Sequence, residues 1–267
     1  MQLKPRLFRK PNLSHPLARG LVGYWAFNEY SGTVINDLSG NGGYGTITGA
    51  PWVGGGLWFA DNTDGVVIPH NEAFVSSPDF TVSLWVNKLV TSTLYNNNWG
   101  IAKWNLGFSN DNNAWGLVMT ESGGDDNFGL IVRVAGSELS LFSTNEMPLN
   151  EKVMLTGVRN GDMFSLYLDG LLVDSSGGYS TAAITDNSNY DVYIARSKRT
   201  TLKPDCIVYG AQFHNRALSA EEIQSLYINP NQLFQEFDPW LYQSGGAPPS
   251  GLSIPIAMHH YKMLRSA

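Results

Sequence analysis

The chain has 267 residues, a formal net charge of −6 and a charged fraction of only 15%, which argues against nucleic acid as its main ligand, because phosphate binding draws on clustered Lys and Arg. No stretch approaches the roughly 20 apolar residues that span a bilayer, and the opening MQLKPRLFRKPNLSHP lacks the apolar run of a secretory signal, so the expectation is a soluble, unprocessed chain without membrane insertion. A single cysteine, Cys206, excludes an internal disulfide and a multi-cysteine zinc site, and its apolar surroundings in CIVYGAQF predict a buried thiol.

Residues 1–20 form a basic arm. Lys4, Arg6, Arg9, Lys10 and Arg19 stand there with no acid among them, suited to an acidic neighbour or to a solvated tail. A strand follows in LVGYWAFNE, then a turn-rich stretch, SGTVINDLSGNGGYGTITGAP, whose Gly, Asn and Asp supply positive φ. Short runs rich in Val, Ile, Phe and Trp come next: LWFADNTDGVVIP, FTVSLWVN, WGLVMT, FGLIVRVA and ELSLFST. In TVSLWVN, alternation sends Val82, Leu84 and Val86 one way and Thr81, Ser83, Trp85 and Asn87 the other. Asn160-Gly161 and Asp169-Gly170 each divide apolar strands and predict two tight hairpins in a row. After the strands YDVYIARS and CIVYGAQFHN, LSAEEIQSLYI reads as a helix. Ser219 and Glu222 make its capping box, Ile223, Leu226 and Tyr227 its apolar stripe, and Asn229-Pro230 its stop.

About a dozen short strands with one late helix predict an all-β fold, a two-sheet antiparallel jelly-roll sandwich over 21–228 with N- and C-terminal extensions. A parallel α/β scheme would need a helix after nearly every strand, and no propeller blade repeat is present. The tail 229–267 is punctuated by Pro and Gly and carries Phe234, Phe237, Trp240 and Tyr242, which either pack back on the sandwich or dock on another chain. Docking is the favoured reading, which makes these four aromatics, with Lys4, Arg6, Arg9 and Lys10, the candidate anchoring residues.

Chemistry leaves little trace. Glycan cleavage needs two carboxylates flanking the scissile bond, and no Glu-x-Asp-x-x-Glu-like run occurs. Glu121, Asp125 and Asp126 lie in ESGGDDN, which reads as a solvated loop. There is no Gly-x-Ser-x-Gly elbow, His214 reads as a packed strand histidine, and the glycine clusters read as turns rather than phosphate loops. The chain is therefore expected to bind rather than catalyse. Between residues 95 and 115, Tyr95, Trp99, Trp104, Asn105 and Trp115 interleave aromatic faces with amides, as a glycan platform would. The competing reading, ranked ahead of it, puts the tryptophans in the core and the asparagines in turns.

The segments GLVGYWAFNEYSGTVINDLSGNGGYGTITGAP, LWFADNTDGVVIP, FTVSLWVN, LYLDGLLV and FHNRALSAEEIQSLY together resemble the ordered landmarks of the concanavalin A-like laminin-G jelly roll. That resemblance implies the sandwich over about Gly20 to Tyr227, on a fold that hosts lectins, adhesion modules and glycanases alike. Members often carry an acidic pair ahead of the Asn-Arg-Ala-Leu-Ser stretch. Here the matching positions are Val208-Tyr209-Gly210-Ala211, so calcium is disfavoured and no cofactor is expected. Asp61 and Asp64 in DNTDG are the remaining metal candidates, with an Asx turn preferred. The ends, HPLARGLVG, SLYINPNQLF and IPIAMHHYKML, are similar to laminin-G-like proteins of tailed bacteriophages. This second resemblance implies a virion structural protein of decoration or fibre type on the particle surface, assembled in host cytoplasm. Its expected partners are other capsid or tail proteins and further copies of itself, with host glycans as an alternative.

Overall fold

The computed structural model describes residues 11–61, 63–75, 77–89, 98–103, 114–122, 125–134, 136–184, 190–196 and 205–234. In chain order the strands are β1 (Leu21–Trp25), β2 (Val34–Ile35), β3 (Gly45–Thr48), β4 (Trp52–Val53), β5 (Gly56–Phe59), β6 (Gly65–Ile68), β7 (Phe80–Lys88), β8 (Asn98–Lys103), β9 (Trp115–Ser122), β10 (Asp125–Val134), β11 (Ser137–Phe142), β12 (Lys152–Asn160), β13 (Met163–Leu168), β14 (Leu171–Ser176), β15 (Val192–Ile194) and β16 (Cys206–His214). One helix, α1 (Ala220–Ile228), follows them.

These strands make two eight-stranded antiparallel sheets packed face to face, as the alternation predicts. The first runs β14-β13-β12-β7-β16-β5-β4, with β1 also paired to β16; the second runs β11-β10-β9-β8-β15-β6-β3-β2. Val82, Leu84 and Val86 enter the inter-sheet core, while Trp85 belongs to a second cluster on the outer face. On β16 the inward positions pass from Cys206 and Val208 to Ala211 and Phe213. A register shift between Val208 and Gly210 inserts one residue there and turns Gln212 and His214 to the outer face. At the centre, Trp115 stacks on Phe213 at 4.6 Å between centroids, with Phe74 and Phe80 against both rings. Burial pushes the Cys206 thiol up to about 12, so it stays an inert core group.

The outer face of the first sheet is roofed. Tyr24, Trp85, Met154, Val158 and Tyr167 from the strands bury against Leu17, Leu218, Ile223, Leu226, Leu233 and Phe234. The chain divides into two compact units, Met1–Phe234 and Gln235–Ala267, and the described residues all belong to the first. The sandwich unit thus keeps Leu17 before β1 and the turn Gln232–Phe234 after α1.

Local chemistry explains where other expectations hold or move. Asp169 and Gly170 take φ of 51° and 81°, the paired left-handed residues of a type I′ hairpin. The preceding turn is built one position later than expected: Asn160 pairs with Met163, so Gly161, at φ 60°, is the first central residue and Asp162 the second. The stretch 31–51, expected to be turn-rich, also contains β2 and β3, which are too short to show a period. Tyr227 leaves the helix stripe and is 41% exposed beside Gly170. Asp126, expected in a solvated loop, is buried on β10.

Candidate functional site

Side-chain hydrogen bonds gather where the first and last described segments of the sandwich meet. Ser219 caps α1 by accepting from the Glu222 N–H at 3.3 Å, and Glu222 Oε2 accepts from the Ser219 N–H at 3.0 Å. Arg216 donates to both Glu222 oxygens at 2.7 Å and to the carbonyls of Arg19 and Pro16 at 2.8 and 3.1 Å. His214 donates from Nε2 to the Leu17 carbonyl at 3.0 Å, and burial holds its pKa down to about 4 against the pull of that hydrogen bond. His15 accepts from the Leu17 N–H, and burial again lowers its pKa. The N-terminal segment is therefore fastened to the last strand and to the start of α1.

The C-terminal segment is fastened beside it. Tyr24 donates its hydroxyl to Asn231 Oδ1 at 2.5 Å and the Pro230 carbonyl at 3.1 Å, and burial drives its pKa upward. Its ring stacks on Phe234 at 5.2 Å. Gln232 donates to the Ser225 carbonyl at 3.0 Å. Asn12 then closes the arrangement by donating its N–H to the Leu233 carbonyl at 2.8 Å. The first and last described segments thus lie side by side.

Of the expected anchoring residues, Phe234 is corrected: it is buried against Tyr24 of its own sandwich, since a ring that reaches an apolar roof has no reason to stay in water. Lys4, Arg6, Arg9, Lys10, Phe237, Trp240 and Tyr242 lie outside the described residues. Of the expected glycan platform, Tyr95, Trp104 and Asn105 lie outside them too, and Trp99 is described only as a backbone position of β8. Trp115 is corrected. Its ring is fully buried and its Nε1–H donates to the Phe74 carbonyl at 2.8 Å, so no face is left for a sugar.

The acids are occupied with backbone. Asp64 is buried, and its Oδ2 accepts from the N–H groups of Ala60 and Asp61 at 2.9 Å each, so the carboxylate closes the turn that precedes it instead of the expected Asx turn onto the residues that follow. Asp61 is exposed on the same turn, and among the described residues no group of three or more His, Cys, Asp or Glu is placed to hold a metal ion. Asp37 accepts from the N–H groups of Tyr24, Ser39 and Gly43, Asp79 from Gly161, and Asp169 from Met154. Aromatic exposure appears instead around Tyr30, which is 60% exposed at φ 59°. Trp52 donates its Nε1–H to the Gly32 carbonyl nearby at 2.9 Å, and Gly55 lies close enough that a Cβ there would touch the Tyr30 ring at 3.7 Å. Tyr30 and Tyr44 stand out in the sequence as large aromatics inside a Gly- and Asn-rich stretch, well away from the aromatics between 95 and 115.

The sandwich is similar to solved structures. One is the binding domain of Paraclostridial Mosquitocidal Protein 1, with a TM-score of 0.65 and 19% identity over 79% of this chain and 52% of that chain. Another is Trypanosoma rangeli sialidase in complex with sialic acid, at 0.59 and 19% over 81% of this chain and 34% of that chain. The chain spans about half or about a third of those lengths, and at such identities the likeness is one of fold. No curated protein sequence matches it. The family model of the concanavalin A-like lectin/glucanases superfamily matches residues 60–224, from the end of β5 into α1, which is the body of the two sheets described above. The chain belongs to the concanavalin A-like lectin/glucanases superfamily.

Proposed function

We propose that this chain is a non-enzymatic virion structural protein, of capsid-decoration or fibre type, that presents its lectin-like sandwich on the particle surface and is anchored through its terminal extensions. The observation that carries this reading is the Asn12–Leu233 hydrogen bond, which sets side by side the first and last described segments, the ones that adjoin the basic stretch 4–10 and the aromatic stretch 237–242 in the sequence. An attachment made by both extensions then has one footprint on a capsid or tail protein. The commitment of Asp37, Asp64, Asp79 and Asp169 to backbone N–H groups supports a binding role over hydrolysis. Symmetric self-association is the usual habit of such proteins.

The test is incorporation into particles by chains lacking residues 1–10, residues 235–267, or both. Each deletion is expected to abolish or sharply reduce co-sedimentation while the sandwich stays folded. Undiminished co-sedimentation of the double deletion would remove the anchoring role.

A second reading, glycan binding, is supported by the superfamily's lectins and by the exposed ring of Tyr30 next to Gly55. Aromatic faces stack on the C–H surfaces of sugars, so glycan-array binding that is lost in Tyr30→Ala would favour it. Absence of binding to any glycan would count against it.

A further inference from the structure

Lys88 ends β7 in the first sheet, and Asp126 stands near the start of β10 in the second. The alternation that sends Val82, Leu84 and Val86 inward sends Lys88 inward as well, and Asp126 follows Phe128, Leu130 and Val132 on the facing sheet. The two side chains meet between the sheets. Lys88 Nζ contacts Asp126 Oδ1, with 2% and 5% of the side chains exposed.

Backbone contacts hold both partners in place from a single segment. Asn150 donates to the Lys88 carbonyl at 2.7 Å, Met147 donates to the Asp126 carbonyl at 2.5 Å, and Leu149 bridges to Lys88. Cys206 is the register partner of Lys88 on β16, and Glu121 that of Asp126 on β9. An ammonium has three donors, and among the described residues this one donates to Asp126 Oδ1. Two charges removed from water recover their desolvation cost only with excellent geometry and further hydrogen bonds. Condensation removes both charges at once, and fixed contact between amine and carboxyl is what makes such a reaction effectively unimolecular.

We propose that Lys88 and Asp126 join in an intramolecular isopeptide bond that staples the two sheets. A proton passes from Nζ to the carboxyl group, the amine lone pair attacks Cγ, and the new C–N bond forms. The C–OH bond then breaks, and the hydroxyl leaves as water with a second Nζ proton. The product is a secondary amide and one water, with no oxidant, reductant or further reactant consumed. The bond closes a covalent loop between positions 38 apart, as a disulfide would, in a chain whose single cysteine offers none.

The test is the intact mass of the full purified chain under denaturing conditions, followed by proteolysis and sequencing of the peptides. The chain is expected to be lighter than its sequence by one water and to yield a branched peptide joining the segments that hold Lys88 and Asp126. Lys88→Met is expected to restore the full sequence mass. A wild-type chain at full mass with the two segments in separate peptides would overturn the proposal. So would a one-water deficit that persists in Lys88→Met, because it would place the dehydration elsewhere, at Asp64-Gly65 or Asp169-Gly170. The branched peptide is read on the wild-type chain, so the result does not depend on the variant folding.

Discussion

Arg216 grips Glu222 with both terminal nitrogens, 2.7 Å to each carboxylate oxygen, while Nε reaches back to the carbonyl of Arg19. One side chain thereby ties the exit of β16, the cap of α1 and the segment before β1. Arg216→Ala strips the partner from a largely buried carboxylate and is expected to lower stability by about 2 kcal/mol, the range for hydrogen bonds to charged groups. Urea denaturation measures the loss, and limited proteolysis should open the chain ahead of residue 20 first.

Acid should weaken the same region in two overlapping windows. Burial keeps His214 neutral down to about pH 4, whereas the unfolded chain protonates it near its ordinary 6.5. The unfolded state binds more protons between those values, so stability falls as pH drops from 6.5 to 4. For Glu222, burial works against the charged form, but Arg216 and the Ser219 N–H outweigh it and hold the pKa below the ordinary 4.5. Its contribution is present above 4.5 and is lost as pH falls through the lower folded value. Denaturation midpoints measured from pH 7 to pH 4 should decline, and His214→Gln should flatten the slope above pH 4.5.

Trp115 serves as a core residue and its variants should behave accordingly. Trp115→Ala is expected to cost about 3–5 kcal/mol, the range for removing a buried aromatic. Trp115→Phe should cost less, leaving the Phe74 carbonyl without its donor. Neither is expected to change glycan binding by the fraction that remains folded, which arrays run below the melting temperature would show.

Tyr24→Phe keeps the ring against Phe234 and removes only the donor to Asn231 and Pro230. A loss of about 1 kcal/mol is expected for the hydroxyl. The clearer readout is cleavage between residues 229 and 234, which should quicken well before the sheets unfold.

Asp64 organises a turn, so neither calcium nor a chelator should shift the melting temperature. Asp64→Ala frees the N–H groups of Ala60 and Asp61 and is expected to cost about 1–2 kcal/mol. A rise in melting temperature on adding calcium would refute the turn-only role.

Much of the frame was legible because its signals are local. The alternation in β7, the Ser219–Glu222 capping box and the Asp169-Gly170 hairpin each depend on residues within a few positions of one another. What escaped depends on distance along the chain. Asp126 reads as solvated among its Gly and Asp neighbours, and only its contact with Lys88 on the other sheet explains its burial. Phe234 reads as a free aromatic until Tyr24, from the first strand, is brought beneath it. The two-residue β2 and β4 escaped through shortness rather than distance: they carry no period at all, although their partners β3 and β5 lie close by in the chain. Tyr30 is a different case: as a large aromatic in a Gly- and Asn-rich stretch it is visible in the sequence, but the left-handed backbone at that position is not.

The hydrogen bond between Asn12 and Leu233 also governs how the unit responds to force and to transplantation. Tension applied through its two ends crosses that junction directly, so the ladders of both sheets stay out of the path of the pull. A host protein would need to open a surface loop by only about 5 Å, the spacing of neighbouring strands, to accept the whole sandwich between two of its residues. Such a module can be lengthened, exchanged or doubled without redrawing the protein that bears it.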